Sequence, residues 1–526
     1  MNELRKLAIV VLAGIASSLQ IANAAPPIAN GDSRTVTMNG TITINVLAND
    51  FDDDNDALSV TNVSSPANGS VSLNSDSSIR YTPDRDFAGS DSFTYTVSDT
   101  NGEVSSATVT LSVVDVELQA LGHGDNARSI GAAIDDLCPR LRQLGTADLG
   151  TGGAQLLARC EALLEQARTD PGSADEALRQ IAPEEVSAQI RQASEIFRSQ
   201  IQAVAQRQLY LASGHSSSTF NGYAFTSDRQ RGGAAGDTDS AYSPLSFFAS
   251  ALAGNSDRDR TELEAGYDSS AQGLTLGADY RFNNDFFIGA AWGWTQNDLE
   301  FQDRGGEVDA TTYSLLAYAV MHRGSWSFDA QLGYGTVEYD TKRRIAYTNL
   351  SETLNAVAKG STSGSQWTAS AQAQYDFNVD AYSLRPFIRA DYLSTQIDAF
   401  GENNAGGWEV EISEQEIQQV VMAAGVDASF AISQSWGVLL PQAHLSARSD
   451  VKTSRDDVYG RFSFDPDPSN RFELRADMKE SLYFLANLGV VAVLPKGFST
   501  YAHYQHLLGY SDTESGQFSL GLRFEF

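Results

Sequence analysis

The last ten residues constrain the fold of this 526-residue chain more than any other segment. Apolar and polar residues alternate strictly there, so every second side chain points to the same side of an extended strand. The apolar side consists of Phe518, Leu520, Leu522, Phe524 and Phe526, and the polar side of Gln517, Ser519, Gly521, Arg523 and Glu525. A strand of this kind, ending on an aromatic residue, suits a barrel with lipid outside and a water-filled lumen inside.

The same two-residue period recurs throughout residues 243–526. Alternating segments begin at Leu274, Phe286, Trp326, Trp367 and Val420, and each has about the ten residues that a tilted strand needs to cross a bilayer. Short turns such as Asn283-Asn284 alternate with long polar stretches at 341–365, 400–413 and 452–477. We therefore expect a transmembrane β-barrel of about twelve strands. A β-sandwich or propeller is the alternative, but its outer face would be polar.

The first 24 residues have the pattern of an export signal. Arg5 and Lys6 precede the apolar run from Leu7 to Ile15, and Ala22-Asn23-Ala24 provides small residues for cleavage. This predicts a signal peptide over residues 1–24, whose apolar core is too short to span a membrane as a helix. The net charge of −31 argues against a nucleic-acid partner and is consistent with a soluble acidic surface.

Residues 25–115 predict an all-β unit, because short apolar runs recur every 8–12 residues between Asn, Gly and Pro. The segments Val46–Asp50 and Phe87–Tyr95 resemble the cadherin-like, Ig-like repeats of bacterial surface adhesins. This chain has one copy of the repeat, with Asn55 where glycine is usual.

The same unit carries the best metal candidate in the sequence. Asp50, Asp52, Asp54 and Asp56 alternate, and carboxylates in a loop supply the hard oxygen ligands that Ca²⁺ requires. Asp91 and Asp99 are additional candidates if their loops meet this one. The alternative is an acidic, solvated turn.

Residues 116–182 show apolar residues three or four apart and predict a helical hairpin with a turn at Gly145–Gly153. Cys138 and Cys160 fall one on each helix. Export favours oxidation, and two cysteines permit one intramolecular pair, so we predict a structural disulfide. Free or intermolecular thiols are the alternative.

Residues 183–242 predict a helix from Pro183 to Leu211, followed by a linker. Such a helix is about 40 Å long, enough to thread a barrel. Its arginines would then meet lumen-facing carboxylates, for which the alternation predicts Asp279, Asp329 and Asp376.

A C-terminal barrel preceded by a helix and an exported region resembles the translocator domain of autotransporters, the type V secretion proteins. The last strand also resembles the signal by which outer-membrane barrels are recognised for assembly. The resemblance implies a mainly β protein in the outer membrane, whose helix plugs the pore and tethers a surface-exposed passenger. Its expected partners are outer-membrane lipid, the barrel-assembly machinery and a surface ligand or a second copy, with adhesion as the expected role.

Catalytic motifs are weak, and we expect no enzyme. The six histidines are scattered without zinc spacing, and no Gly-x-Ser-x-Gly motif occurs. His503 and His506 differ by three along a strand and so project from opposite faces. The main alternative function is a pore or envelope protein with a periplasmic N-terminal domain, and a barrel enzyme is less favoured.

Overall fold

The computed structural model describes residues 25–85, 87–144, 148–213, 219–220, 223–224, 244–283, 285–302, 305–349, 353–455, 457–477, 482–495 and 497–525. The predicted signal peptide and Phe526 lie outside these ranges and remain predictions. The chain divides into two compact units, Met1–Val116 and Glu117–Phe526.

The first unit, called the N-terminal unit and described from Ala25, is the expected β-sandwich. Its sheets contain four and three strands, and alternate side chains of these strands form one core that includes Ile44, Tyr81, Phe93, Tyr95 and Val109. The strands are Asp32–Thr37, Ile42–Ile44, Ser59–Val63, Gly69–Leu73, Ile79–Pro83, Gly89–Ser98 and Val104–Val114.

The second unit contains a closed barrel of twelve antiparallel strands, which confirms the predicted fold. The first strand pairs with the last, where Phe247 lies opposite Phe524, and this pairing closes the sheet. The strands are Leu245–Arg258, Tyr267–Asn283, Phe286–Phe301, Glu307–Arg323, Trp326–Thr348, Thr353–Tyr375, Tyr382–Ile397, Gln415–Phe430, Gly437–Arg455, Tyr483–Val493, Phe498–Leu508 and Thr513–Glu525.

The two faces of the barrel follow the sequence alternation. Outward-facing Leu276, Leu315 and Leu488 are 43%, 64% and 67% exposed, as expected of side chains that meet lipid. Inward-facing Thr275, Thr312 and other polar side chains are buried. The C-terminal strand obeys the same rule, because Leu520 and Leu522 face outward.

Three predicted loops at one end of the barrel are more ordered than expected. Residues 341–365 belong mainly to two long strands, Trp326–Thr348 and Thr353–Tyr375, which pair along their whole length. The ladder extends because alternate residues such as Ile345 and Tyr347 are buried. Residues 400–413 and 452–477 contribute a small sheet, called the cap sheet, of strands Phe400–Gly401, Val410–Ile412, Val458–Phe462 and Phe472–Leu474.

Four helices, called the cap, precede a long one, called the lumen helix, which spans Glu185–Ser213. Within the cap, Cys138 and Cys160 form the predicted disulfide. Two details differ from the expectation. Gly150–Gly153 begin a helix instead of forming a turn, and a third long helix starts at Pro171, capped by the Asp170 side chain. The cap helices are Leu118–Leu121, Asp125–Leu144, Gly150–Thr169 and Pro171–Ile181.

Within the described part of the chain, no helix combines the length and apolarity needed to cross a membrane.

Candidate functional site

The lumen helix fills the barrel. Its apolar residues Ile201, Val204 and Leu211 pack with the inward-facing side chains Phe248, Phe287, Leu316 and Val320 in one buried cluster. Its polar residues bond to the strands as well. Gln192 donates to the carbonyl oxygens of Asn297 (3.0 Å) and Val308 (3.2 Å), and Gln208 donates to that of Ala330 (3.0 Å). The helix therefore occupies the lumen as a fitted plug.

A buried ion pair fixes the C-terminal half of the lumen helix. Arg207 donates to Asp279 through Nε (2.7 Å) and one terminal nitrogen (2.6 Å). Ser246 and Tyr318 donate to the same carboxylate at 2.6 and 3.2 Å, and the guanidinium lies 5.7 Å from the ring centre of Phe248. The predicted contact between a helix arginine and Asp279 is thus confirmed.

For the other two predicted carboxylates, contact with an arginine of the lumen helix stays a prediction. The Asp376 carboxylate lies 3.9 Å from the guanidinium of Arg385, a residue of the barrel itself. Asp329 is buried, and its Oδ1 accepts no hydrogen bond.

A second ion cluster fixes the N-terminal half of the lumen helix. Arg191 and Arg258 both contact Glu264, at 3.0 and 2.9 Å, and Arg258 also contacts Asp477 at 2.6 Å. Glu264 lies in the connection between the first two barrel strands and Asp477 in the long stretch after Arg455, so both belong to the end with the long connections. The helix enters the lumen from this long-loop end.

The cap lies on the same long-loop end and closes it. Arg343 is fully buried there and joins three segments, donating to the carbonyl oxygens of Ile181 (2.6 Å) and Trp408 (3.1 Å) and to the Glu402 carboxylate (3.0 Å). Trp408 is also fully buried and donates its indole N–H to Tyr347 at 2.8 Å. Sequence reasoning missed this cluster, although a lone tryptophan in a polar, glycine-rich stretch was a visible signal.

A small cavity of about 90 Å³ remains between the lumen helix and the strands. Arg385, Arg389 and Asp391 line it, together with His503. His503 is 5% exposed and faces inward, whereas His506 faces the outer surface, so the two histidines lie on opposite faces. Residues Gln202 and Gln206 of the lumen helix form the opposite wall of the cavity.

Three residues beside this cavity are hydrogen-bonded in the order of a catalytic triad, which sequence reasoning also missed. Asp427 Oδ1 lies 2.8 Å from His444 Nδ1, and His444 Nε2 lies 3.0 Å from Ser446 Oγ. The ring of Phe387 stacks on His444 at 5.3 Å. Ser446 is 1% exposed, whereas His444 and Arg448 on either side of it line the cavity. The geometry suits nucleophile activation, but the hydroxyl faces little open space.

The four alternating aspartates of the N-terminal unit separate into different roles. Asp50 accepts hydrogen bonds from the Asn30 amide (2.7 Å) and the Tyr95 hydroxyl (3.1 Å), and Asp54 accepts one from the Ala25 amide (2.8 Å). In the described residues, no three acidic, histidine or cysteine side chains are grouped to hold a metal. The predicted convergence of Asp50, Asp52, Asp54 and Asp56 is therefore absent from this part of the chain.

Two other carboxylates of this unit, Asp52 and Asp99, are linked indirectly through Asp56 and Asn101. Asp52 Oδ1 accepts from the amides of Asp54 (2.8 Å) and Asp56 (3.3 Å), and Asp99 Oδ1 accepts from the Asn101 amide (2.9 Å). The Asn101 side chain in turn donates to Asp56. The Oδ2 atoms of Asp52 and Asp99 are buried and accept no hydrogen bond. Each of the two residues is only 7% exposed.

Two other predicted details of this loop have clear outcomes. Asn55 has a φ of +61°, a left-handed conformation that explains why glycine is usual there. Asp91 does not join the pair, because its carboxylate accepts hydrogen bonds from Tyr81, Ala67, Asn68 and Ser92.

Burial also raises the pKa values of two groups near this loop. Burial raises the pKa of the Asp32 carboxyl above 3.8, with Arg34 opposing and Asp50 adding to the rise. Burial and the neighbouring Asp50 carboxylate raise the pKa of the Tyr95 phenol well above its ordinary value. Tyr95 therefore stays a hydrogen-bond donor to Asp50 at any physiological pH.

Comparisons with known proteins agree with this architecture. Residues 247–505 match the autotransporter beta-domain family, and residues 23–112 match the bacterial Ig domain family. Esterase EstA of Pseudomonas aeruginosa is 26% identical over 273 residues, which cover 51% of this chain and 41% of that protein. The chain thus matches less than half the length of this relative.

Among solved structures, the translocator domain of the autotransporter NalP from Neisseria meningitidis has a TM-score of 0.45 and 14% identity, covering 63% of this chain and 98% of that one. The beta domain of the Bordetella autotransporter Brka has a TM-score of 0.39 and 18% identity, covering 54% of this chain and 100% of that one.

Proposed function

Because the barrel of this chain is an autotransporter β-domain that lies in the outer membrane, we propose that it anchors residues 25–182 and displays them on the cell surface. The main support is the direction of the lumen helix. Its N-terminal half is bound by Arg191 to Glu264 at the long-loop end, and long loops of such barrels face the outside of the cell. The chain before the helix therefore leaves the barrel on the extracellular side.

Display is tested by an epitope tag inserted after Asn74 in the N-terminal unit, between the strands Gly69–Leu73 and Ile79–Pro83. Antibody should stain intact cells, and external protease should remove the tag. A matched tag after Gln434, in the short connection between the strands Gln415–Phe430 and Gly437–Arg455, should stain only after the outer membrane is permeabilised. A tag after Asn74 that also requires permeabilisation would support the alternative, a periplasmic N-terminal domain.

The displayed region serves adhesion or another surface contact in this proposal. The support is its composition: a bacterial Ig domain with a packed core of its own. Cells that express the full chain should bind a surface or one another more than cells expressing a variant without residues 32–114. Equal binding by both would remove adhesion from the proposal and leave display in place.

Calcium binding at the N-terminal unit is part of the proposal, in a form narrower than the sequence predicts. The support is the pair of buried Oδ2 atoms of Asp52 and Asp99, because a buried carboxylate oxygen without a partner is costly. Two such atoms, completed by backbone carbonyls and water, suit the oxygen-rich shell of Ca²⁺. A bound ion at a hundredfold excess over its Kd would stabilise the unit by about 2.7 kcal/mol.

Titration of the purified full chain with CaCl₂ tests the calcium site. Binding heat should appear for the natural sequence and disappear in Asp52→Asn. The matched variant Asp54→Asn should retain it, because that carboxylate bonds the Ala25 amide instead. Absence of binding heat in the natural chain, or its survival in Asp52→Asn, would leave the aspartates as structural groups.

Ester hydrolysis is the second candidate function. Its support is the hydrogen-bonded series Asp427, His444 and Ser446, together with the name of the relative Esterase EstA. A fluorophosphonate probe should then label the full chain and fail to label Ser446→Ala, while Ser449→Ala on the outward face remains labelled. An unlabelled natural chain would reduce the three residues to a polar network of the lumen wall.

A further inference from the structure

The first long helix of the cap, Asp125–Leu144, is attached to the barrel by contacts of its own. Its partner is the segment 463–477, which follows one strand of the cap sheet and includes another. Asn126 is 2% exposed, and its side chain makes three hydrogen bonds. It donates to the Arg475 carbonyl oxygen (3.0 Å) and accepts from the Arg475 amide (2.8 Å), both within this segment. It also donates to the carbonyl oxygen of Leu263 (2.9 Å), in the connection between the first two barrel strands. One side chain thus joins the helix to two extracellular connections.

The contacts continue along the helix for three more turns. Ser129 accepts from the Glu473 amide at 2.7 Å, and the carbonyl oxygen of Ala133 accepts from Asn470 at 2.9 Å. Arg140 contacts Asp467 at 2.7 Å. These positions are three, four and seven residues apart, so they mark one continuous face of the helix.

Apolar packing accompanies these bonds on the same side. Ile130, Ile134 and Leu137 of the helix are fully buried, as are Phe472 and Leu474 of the strand against which the helix packs, which are 1% and 2% exposed. Buried hydrogen bonds surrounded by apolar contacts are the arrangement found at the centre of stable interfaces.

We propose that the segment 463–477 is a docking surface for the helix Asp125–Leu144, and that it holds the N-terminal region on the cell independently of the peptide chain. The covalent tether through the lumen helix is then one of two attachments. A cut inside the cap, between its first two long helices, would leave residues 25–144 on the barrel. This inference goes beyond display, which requires only the covalent tether.

The test uses the full chain on intact cells, with a protease-recognition linker inserted after Asp148 and a tag after Asn74. The disulfide would mask the result, because Cys138 and Cys160 lie on opposite sides of the cut. The test is therefore made in Cys138→Ala/Cys160→Ala. After cleavage and washing, the tag should remain with the cells.

Two matched variants identify the contact that retains the tag on the cells. In the same background, Asn126→Ala should send the tag to the supernatant after cleavage, whereas Asp136→Ala on the exposed side of the helix should not. If the cysteine-free chain fails to assemble, the cut is made with the disulfide intact, and the solubilised protein is then reduced before the fragments are separated by size.

The control cut is a linker placed after Asp115, before the cap begins, and it should release the tag. Loss of the tag after the Asp148 cut would overturn the docking proposal, and so would retention after the Asp115 cut. Staining of uncut cells tests display by itself. Cells that stain before cleavage and lose the tag after the Asp148 cut would therefore contradict only the second attachment.

Discussion

The ion pair between Arg207 and Asp279 gives the sharpest prediction for the plugged barrel. Both side chains are nearly fully buried, with 4% and 3% exposure, and they join the lumen helix to the second barrel strand. Removing one partner of such a pair leaves an uncompensated buried charge and costs about 3–5 kcal/mol. That energy corresponds to about a 150-fold to 5,000-fold shift between the helix inside the lumen and the helix displaced.

The two single variants should displace the lumen helix to different extents. Asp279→Ala leaves a guanidinium that cannot lose its charge, whereas Arg207→Ala leaves a carboxyl that can take up a proton and keeps Ser246 and Tyr318 as donors. Asp279→Ala should therefore be the more severe change. The double variant removes both charges and should be milder than Asp279→Ala.

Single-channel recording in planar bilayers measures this equilibrium directly, because displacement of the helix opens the lumen. Asp279→Ala should show frequent openings and the natural chain very few. Asp391→Ala is the matched control, since that carboxylate bonds Ser370 and Arg389 of the barrel itself. Equal opening by Asp279→Ala and Asp391→Ala, or by Asp279→Ala and the double variant, would refute the idea that this pair holds the plug.

Three further predictions test other parts of the chain. Phe524→Ser with Phe526→Ser should sharply lower the amount of heat-modifiable protein in the outer membrane, because the closing strand loses two apolar side chains; normal amounts would contradict the role of this strand in assembly. Gly152→Ala should destabilise the cap by about 1–3 kcal/mol, since the new Cβ would lie 2.3 Å from the Phe464 ring. Gly172→Ala should not, because its new Cβ would lie 3.6 Å from the Asp170 carboxylate. External proteolysis of cells that display each variant compares the stability of the two caps. Asp32→Asn should make the N-terminal unit more stable at pH 7, because burial raises the folded pKa of Asp32 and penalises its charged form. This advantage should shrink as pH falls through that raised pKa and vanish below about 3.8, and an advantage in thermal melting that persists at lower pH would exclude this cause.

The barrel was predictable because its information is local. A strand between lipid and a polar lumen must alternate at every step, so segments such as Leu274–Phe282 reveal both the strand and its faces without knowledge of any partner. The same alternation correctly placed Asp279 in the lumen. The helix from Glu185 to Ser213 was visible for a similar reason, since its pattern and length are properties of one segment.

The parts that were not predictable depend on contacts between distant segments. Asn126 and Arg475 are 349 residues apart. The sequence around each of them looks like that around any exposed polar residue. The ordered loops follow the same logic: Ile345 and Tyr347 extend a strand beyond the membrane because other connections bury them, which no local pattern records. His444 reaches Asp427 only because two neighbouring strands pair in that register.

The two kinds of information correspond to two environments. Inside the membrane, lipid is a uniform partner, and each strand must satisfy it alone, so the sequence there repeats one rule. Outside the membrane, the cap and the long connections provide each other's partners, so the buried Arg343 requires the Ile181 carbonyl, the Trp408 carbonyl and Glu402 at once. A cap whose core is shared with barrel connections can complete its folding only when both have reached the same side of the membrane. Its formation on the extracellular side would then oppose return of the lumen helix toward the periplasm.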